Sequence, residues 1–450
     1  MLDQIEAYIA AHRDRFLDEL KQWLRFPSVS AQRDHDTDTL ACAEWIKDHL
    51  GGLGLEVRLI DRGGKPIVWA RAQGKAGRPA VIYGHYDVQP EEPVDQWKTR
   101  PFEPVIQEGF ICARGASDDK GQVFAHVKAV EALLRTGSPL PCDIVFLLEG
   151  EEECGGDALP RYIREEKDLR PRAVIVSDSS MYDERTPAMT YGLRGIAALE
   201  ITLRGPAKDV HSGSYGGAVA NPAVVLSRLI AQCIGPDGKI LVPGLYDDVV
   251  PVRAWEKENL QRLAFDDEVL KRELAVPHLF GEDGYSTLER LWARPTFEIN
   301  GLFGGYTGQG AKTIVPASAT AKVSLRLVPR QDPAKVRSLV LDHIRSICPN
   351  TVRLEISAGH SSPPVLFDVK DPAIRAAQKA LRFGFGAEPV FIRCGGSIPV
   401  VNTFVEEWGC PVLLMGFGLD SDGAHSPNER FKVDSFFKGA RASAHLLSNM

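Results

Sequence analysis

From Leu55 to about Val176 the chain alternates short, β-rich apolar runs with helical patterns. LEVRLI, IVWARA and AVIYGHYDV are followed by a helix from about Asp119 to Leu134, then CDIVFLLEG, another helix and AVIVSD. Strands alternating with helices commit a chain to an α/β layer around a largely parallel sheet. In open sheets of this kind, ligand sites collect beyond the carboxyl ends of the strands. Three of these apolar runs end in acids or histidine: His85 with Asp87, the stretch Glu149 to Glu153, and Asp178.

At 450 residues the chain exceeds the size at which one hydrophobic core stops growing, so two domains are expected. After MTYGLRG the pattern changes to IAALEITLRG, a Pro-capped helix near Asn221, a long irregular stretch from about Pro243 to Pro295, SATAKVSLRLVP, the helix DPAKVRSLVLDHIRSI and TVRLEISAG. Such a segment makes a small α/β sandwich with one large insertion. From about Asp371 the alternation of helix and strand resumes. The reading is a catalytic domain of residues 1–191 and 372–450, interrupted by an inserted domain of residues 192–371.

Composition excludes some classes and selects none. A net charge of −7 without a basic stripe argues against a nucleic-acid partner. The first thirty residues place Ile5, Ile9, Phe16, Leu20 and Leu24 at helical spacing among charges, an amphipathic helix rather than a signal peptide. No apolar stretch approaches the ~20 residues that span a bilayer. Eight scattered cysteines without a CxxC pair fit reduced thiols, and the expectation is a cytoplasmic protein.

Several short stretches can carry chemistry, and each has an ordinary alternative. His85 and Asp87, two apart, project from the same face where a strand runs out. In ARGASDDKGQVFAHVKAV, the pair Asp118 and Asp119 before a helix reads, taken alone, as N-capping. In FLLEGEEECGG, four glutamates within five positions read as a solvated turn, yet carboxylates crowded at a strand end need cations or protons to relieve their repulsion. Asp178 in VIVSDSSMY and His425 in DGAHSPNER complete the set. Two histidines and several carboxylates, all at loop junctions of one α/β layer, match the ligands of a two-metal hydrolytic site.

The stretches GHYDVQP, GASDDKG, EGEEECGG, SD, DVHSGSYGG, GGSIP and GAHSPNER occur in the order and spacing of the aminoacylase and dipeptidase family of di-zinc metallopeptidases. The chain resembles most its cytosolic non-specific dipeptidase and carnosinase branch. The resemblance implies one zinc on His85 and Asp178, a second on Glu153 and His425, and Asp118 as the bridge. It implies two Zn2+ per subunit, with Mn2+ or Co2+ as possible replacements. Glu152 falls in register as the general base, while Glu151 carries no role. Asp87 would orient the ligand histidine, and the peptide between Asp118 and Asp119 would be cis. His211 would stabilise the oxyanion in the site of a neighbouring subunit, which requires a homodimer made through the inserted domain. Arg326 would hold the substrate's terminal carboxylate as a planar fork, with Thr313, His360 and Ser397 in support. His12, His35, His49, His126, His278, His343 and His445 are left as structural or surface residues.

The function expected is therefore hydrolysis of a dipeptide or short peptide with a free C-terminal carboxylate. A deacylase of N-acyl amino acids would use the same ligands. A non-catalytic binding protein on this fold would lack the base or a ligand, and here every such position is filled.

Overall fold

The computed structural model describes residues 2–450, and the chain divides into two compact units. Among the described residues, one comprises residues 2–191, 367–392 and 403–450, and the other residues 192–366 and 393–402. Residues 393–402, which include the GGSIP stretch, thus group with the second unit although the chain on either side belongs to the first.

In the first unit four strands run parallel in the order Ile144–Glu149, Ala80–His85, Ala173–Val176 and Val412–Leu414. Their carboxyl ends share one edge, where the loops after each strand emerge. Antiparallel strands flank this core. Ile67–Ala72 pairs with Ile144–Glu149 and then with Glu56–Ile60, and Ala188–Leu193 meets Val412–Leu414. The central strands are buried on both faces, which is why they read as unbroken apolar runs rather than alternating ones.

The helix Lys120–Arg135 is enclosed on all sides from Lys120 to Leu133. Its polar side chains are therefore matched internally. Lys120 donates to the Phe26 carbonyl at 2.9 Å, and the Gln122 Oε1 accepts from the main-chain N–H of Phe417 and Gly418. His126 sits between Ser443 and Ser177, 2.7 Å from each hydroxyl. The N-terminal amphipathic segment is two helices, Leu2–Ala11 and Arg13–Leu24. His12 leaves helical geometry between them, at φ −115° and ψ 19°.

In the second unit a four-stranded antiparallel sheet has the order Thr296–Gly304, Ser318–Leu327, Gly195–Arg204, Arg353–Ser362. Burial alternates along Gly195–Arg204, and its inward side chains share a core with the helices Pro222–Cys233 and Pro333–Ile347. Both helices start by the same local rule. A side-chain carbonyl or carboxylate, Asn221 or Asp332, accepts a main-chain N–H of the first turn, and proline at the first position has no N–H to satisfy.

The stretch expected to be irregular contains three short helices, Ala254–Arg262, Asp267–Glu273 and Thr287–Ala293. Ser286 and Glu289 form a reciprocal capping box on the last. Buried Glu256 forms an ion pair with Arg393, joining the first of these helices to the segment that carries Ser397.

Candidate metal centre

The site grows from the shared edge of the four parallel strands. His85 is the last residue of its strand and lies in register beside Glu149 on the neighbouring one. Three residues past Glu149 the chain turns through a short 3-10 segment, Glu152–Cys154, and two residues past Val176 it reaches Asp178. Asp118 stands just before the helix Lys120–Arg135, and the Asp118–Asp119 peptide is cis. His425 enters from the loop beyond Val412–Leu414, in left-handed backbone at φ 61°.

These residues converge into two triads. Donor atoms of His85, Asp118 and Asp178 lie within 4.8 Å of one another, and so do those of Asp118, Glu153 and His425. Asp118 is common to both. One of its oxygens is 3.0 Å from His85 Nε2, and the other is 2.9 Å from His425 Nε2. His425 Nε2 also lies 3.4 Å from Glu153 Oε2.

The electrostatics follow from so many acids in a buried place. Burial, with Asp178, Glu153 and Asp118 adding repulsion, pushes Glu152 up to about 8. Burial and Asp118 push Glu153 up to about 8, and burial and Asp118 raise Asp178 to about 6. Hydrogen bonding to Asp118 holds His425 protonated up to about 9. Asp118 itself is held well below the carboxylate range by His425 and His85, although burial opposes this. Nitrogen and oxygen donors without thiolate, grouped in two triads about a shared carboxylate, suit Zn2+, Mn2+ or Co2+. Divalent cations are also what would keep such a cluster ionised.

Neighbouring groups fix the donors. His85 Nδ1 lies 3.0 Å from the Asp87 carbonyl oxygen and 3.4 Å from its carboxylate, so main chain and side chain both face that nitrogen. The other Asp87 oxygen accepts the Glu153 main-chain N–H at 3.1 Å. Gln89 Nε2 donates to Glu153 Oε2 at 2.6 Å. Gln89 was not singled out in the sequence, although it lies two residues beyond Asp87 along an extended stretch. Glu151 lies against Gly64 and Gly156, close enough that a Cβ at either glycine would collide with it.

The remaining candidates belong to the second unit. His211 is exposed and pairs with Ile314 in a two-stranded ribbon, where Ser212 donates its N–H to the Thr313 carbonyl. Its Nδ1 accepts the Gly213 N–H at 3.0 Å. Arg326 reaches toward Ser397, with Nη1 to Oγ at 3.5 Å. His360 sits where the pairing of Arg353–Ser362 slips, between Ala358 and Ser361.

A mostly parallel α/β sheet bearing histidines and carboxylates at its carboxyl edge is the build of a metal-dependent hydrolase. The chain belongs to peptidase family M20/M25/M40, whose pattern matches residues 81–449, and it is a metallopeptidase. It is 32% identical to a Cys-Gly metallodipeptidase of Schizosaccharomyces pombe, over 98% of this chain and 96% of that one. It is 31% identical to the human Beta-Ala-His dipeptidase, over 100% of this chain and 93% of that one. The solved structure of a di-peptidase from Saccharomyces cerevisiae superposes with a TM-score of 0.87 at 30% identity, covering 100% of this chain and 98% of the other.

Proposed function

We propose that the enzyme hydrolyses dipeptides with a free C-terminal carboxylate at a two-ion centre. His85 and Asp178 hold one ion, Glu153 and His425 hold the other, and Asp118 bridges them. The observation that carries this reading is the pair of donor triads sharing Asp118, with Glu152 adjacent to Glu153 in the chain. The ions, proposed to be Zn2+, supply Lewis acidity and lower the pKa of water.

The chain's own residues do the rest. Glu152, raised to about 8 in the metal-free site by burial and neighbouring carboxylates, is ionised once cations offset that repulsion. It then takes a proton from the attacking water and returns it to the leaving amine. Asp87 fixes the tautomer of His85. Arg326, with Ser397, Thr313 and His360 in support, binds the terminal carboxylate. His211 donates to the oxyanion.

The proposal includes a homodimer formed through the second unit, in which His211 serves the partner's site. One edge strand of that unit's sheet, Thr296–Gly304, is supporting: it leaves Leu302 and Phe303 more than half exposed. A cytoplasmic location is part of the same reading, in keeping with eight free cysteines.

The test is hydrolysis of a dipeptide panel including Cys-Gly and β-Ala-His, beside N-acetyl amino acids, before and after chelation and return of Zn2+ or Mn2+. Dipeptide cleavage that is lost on chelation and restored by metal is expected. Cleavage confined to the N-acyl compounds would replace this reading with the deacylase.

A further inference from the structure

Glu429 lies four residues beyond His425 and is fully buried. Its carboxylate accepts four hydrogen bonds, all from the segment that ends in Asp118. Oε2 accepts from the Gly115 main-chain N–H at 2.8 Å and from Arg114 Nη1 at 2.9 Å. Oε1 accepts the main-chain N–H of Ser117 at 2.8 Å and of Asp118 at 3.0 Å. The Glu429 carbonyl also accepts the Ala113 N–H.

Converging main-chain N–H groups make a concave anion cradle. Here a side chain of the protein fills it. Gly115 permits the curl, at φ +82° with a Cβ position only 2.7 Å from Val88. Arg114 ties the same carboxylate to the His85 strand's extension by donating through Nη2 to the Pro90 carbonyl.

From this we propose that Glu429 is a positioning residue for the bridging carboxylate. It binds the N–H of Asp118 itself, and the two oxygens of Asp118 face different histidines. Turning that peptide moves both oxygens at once. Loss of Glu429 therefore weakens both ion sites together, whereas loss of Gln89, whose side chain donates to Glu153, weakens one. The inference rests on the two-ion reading above.

The experiment titrates metal-stripped wild type, Glu429→Gln, Glu429→Asp and Gln89→Ala with Co2+, following visible absorption and competition with a chelator. Glutamine keeps one acceptor oxygen and, in either orientation, turns an NH2 group toward two donors, either the N–H groups of Ser117 and Asp118 or the Gly115 N–H and Arg114. Both Co2+ ions should then bind about 10- to 100-fold more weakly, with an altered absorption spectrum. Gln89→Ala should weaken a single ion. Glu429→Asp keeps the charge and should show a smaller loss at both sites, which secures the result should Glu429→Gln fail to fold. Variants of Glu429 that bind both ions like wild type, or lose only one, overturn the proposal. Wild type binding fewer than two ions overturns instead the two-ion reading on which it rests.

Discussion

At the scale of single residues, the proposed centre would separate groups that hold charge from groups that move protons. Glu152 and Glu153 are adjacent and both are raised to about 8, yet only Glu153 joins a donor triad. Glu152→Gln should therefore leave metal content unchanged and lower kcat by about 10²- to 10⁴-fold, the range for a lost general base. Metal analysis alongside kinetics checks it; lost metal would make Glu152 a ligand instead. Arg326 offers a different split. Replacing it with methionine removes a charge-assisted bond worth about 1.5–3 kcal/mol, so KM for a dipeptide should rise by roughly 10- to 150-fold. The same change should leave the KM of the corresponding dipeptide amide nearly unaltered, and an equal rise for both would remove Arg326 as the carboxylate's partner.

At the scale of elements, the centre depends on how closely the helix Lys120–Arg135 approaches the strand Ala80–His85. At Gly84 an added Cβ would lie 2.0 Å from Val123 Cγ2 and 2.8 Å from Asp119 Oδ2. Gly84→Ala should cost about 1–3 kcal/mol through overpacking and displace His85. Adding Val123→Ala should restore part of that stability by making room, a coupling that urea denaturation of the two singles and the double can read.

The same packing explains what could be foreseen. Buried parallel strands write themselves as apolar runs; His85, Glu153 and Asp178 stand at their ends or just beyond, Asp118 just before the helix Lys120–Arg135, and His425 in the loop that follows Val412–Leu414. The strand Thr296–Gly304 left no such signature, because most of its residues are exposed and Gly301 and Gly304 interrupt it. The capping box at Ser286 and Glu289 was written in the sequence and marks a helix within a stretch that otherwise lacks strong periodicity. Glu429 was illegible for another reason: its partners are mostly main-chain N–H groups, which every residue but proline possesses.

At the scale of the whole molecule, the buried titratable groups give folding two opposing dependences on pH. Burial holds His126 neutral, with its pKa lowered to about 3, and burial with Lys128 lowers His49 to about 4. The unfolded chain binds more protons at these positions below about 6.5, so stability falls as pH drops through that window, with or without metal. Glu152 and Glu153 act the other way. Their folded values of about 8 exceed the unfolded value near 4.5, so the metal-stripped protein loses stability as pH rises from about 4.5 to 8. In the proposed centre, metal binding would require Glu153 and His425 to be deprotonated and so would strengthen over the same range, up to about 9, where His425 titrates. The histidine contribution cancels in the difference between loaded and stripped protein. The gap in Tm between the two forms should therefore widen steadily from about pH 6 to 9, and calorimetry of loading at pH 7 should record proton release. A constant gap with no proton release would mean that these side chains are not the ones that bind the ions.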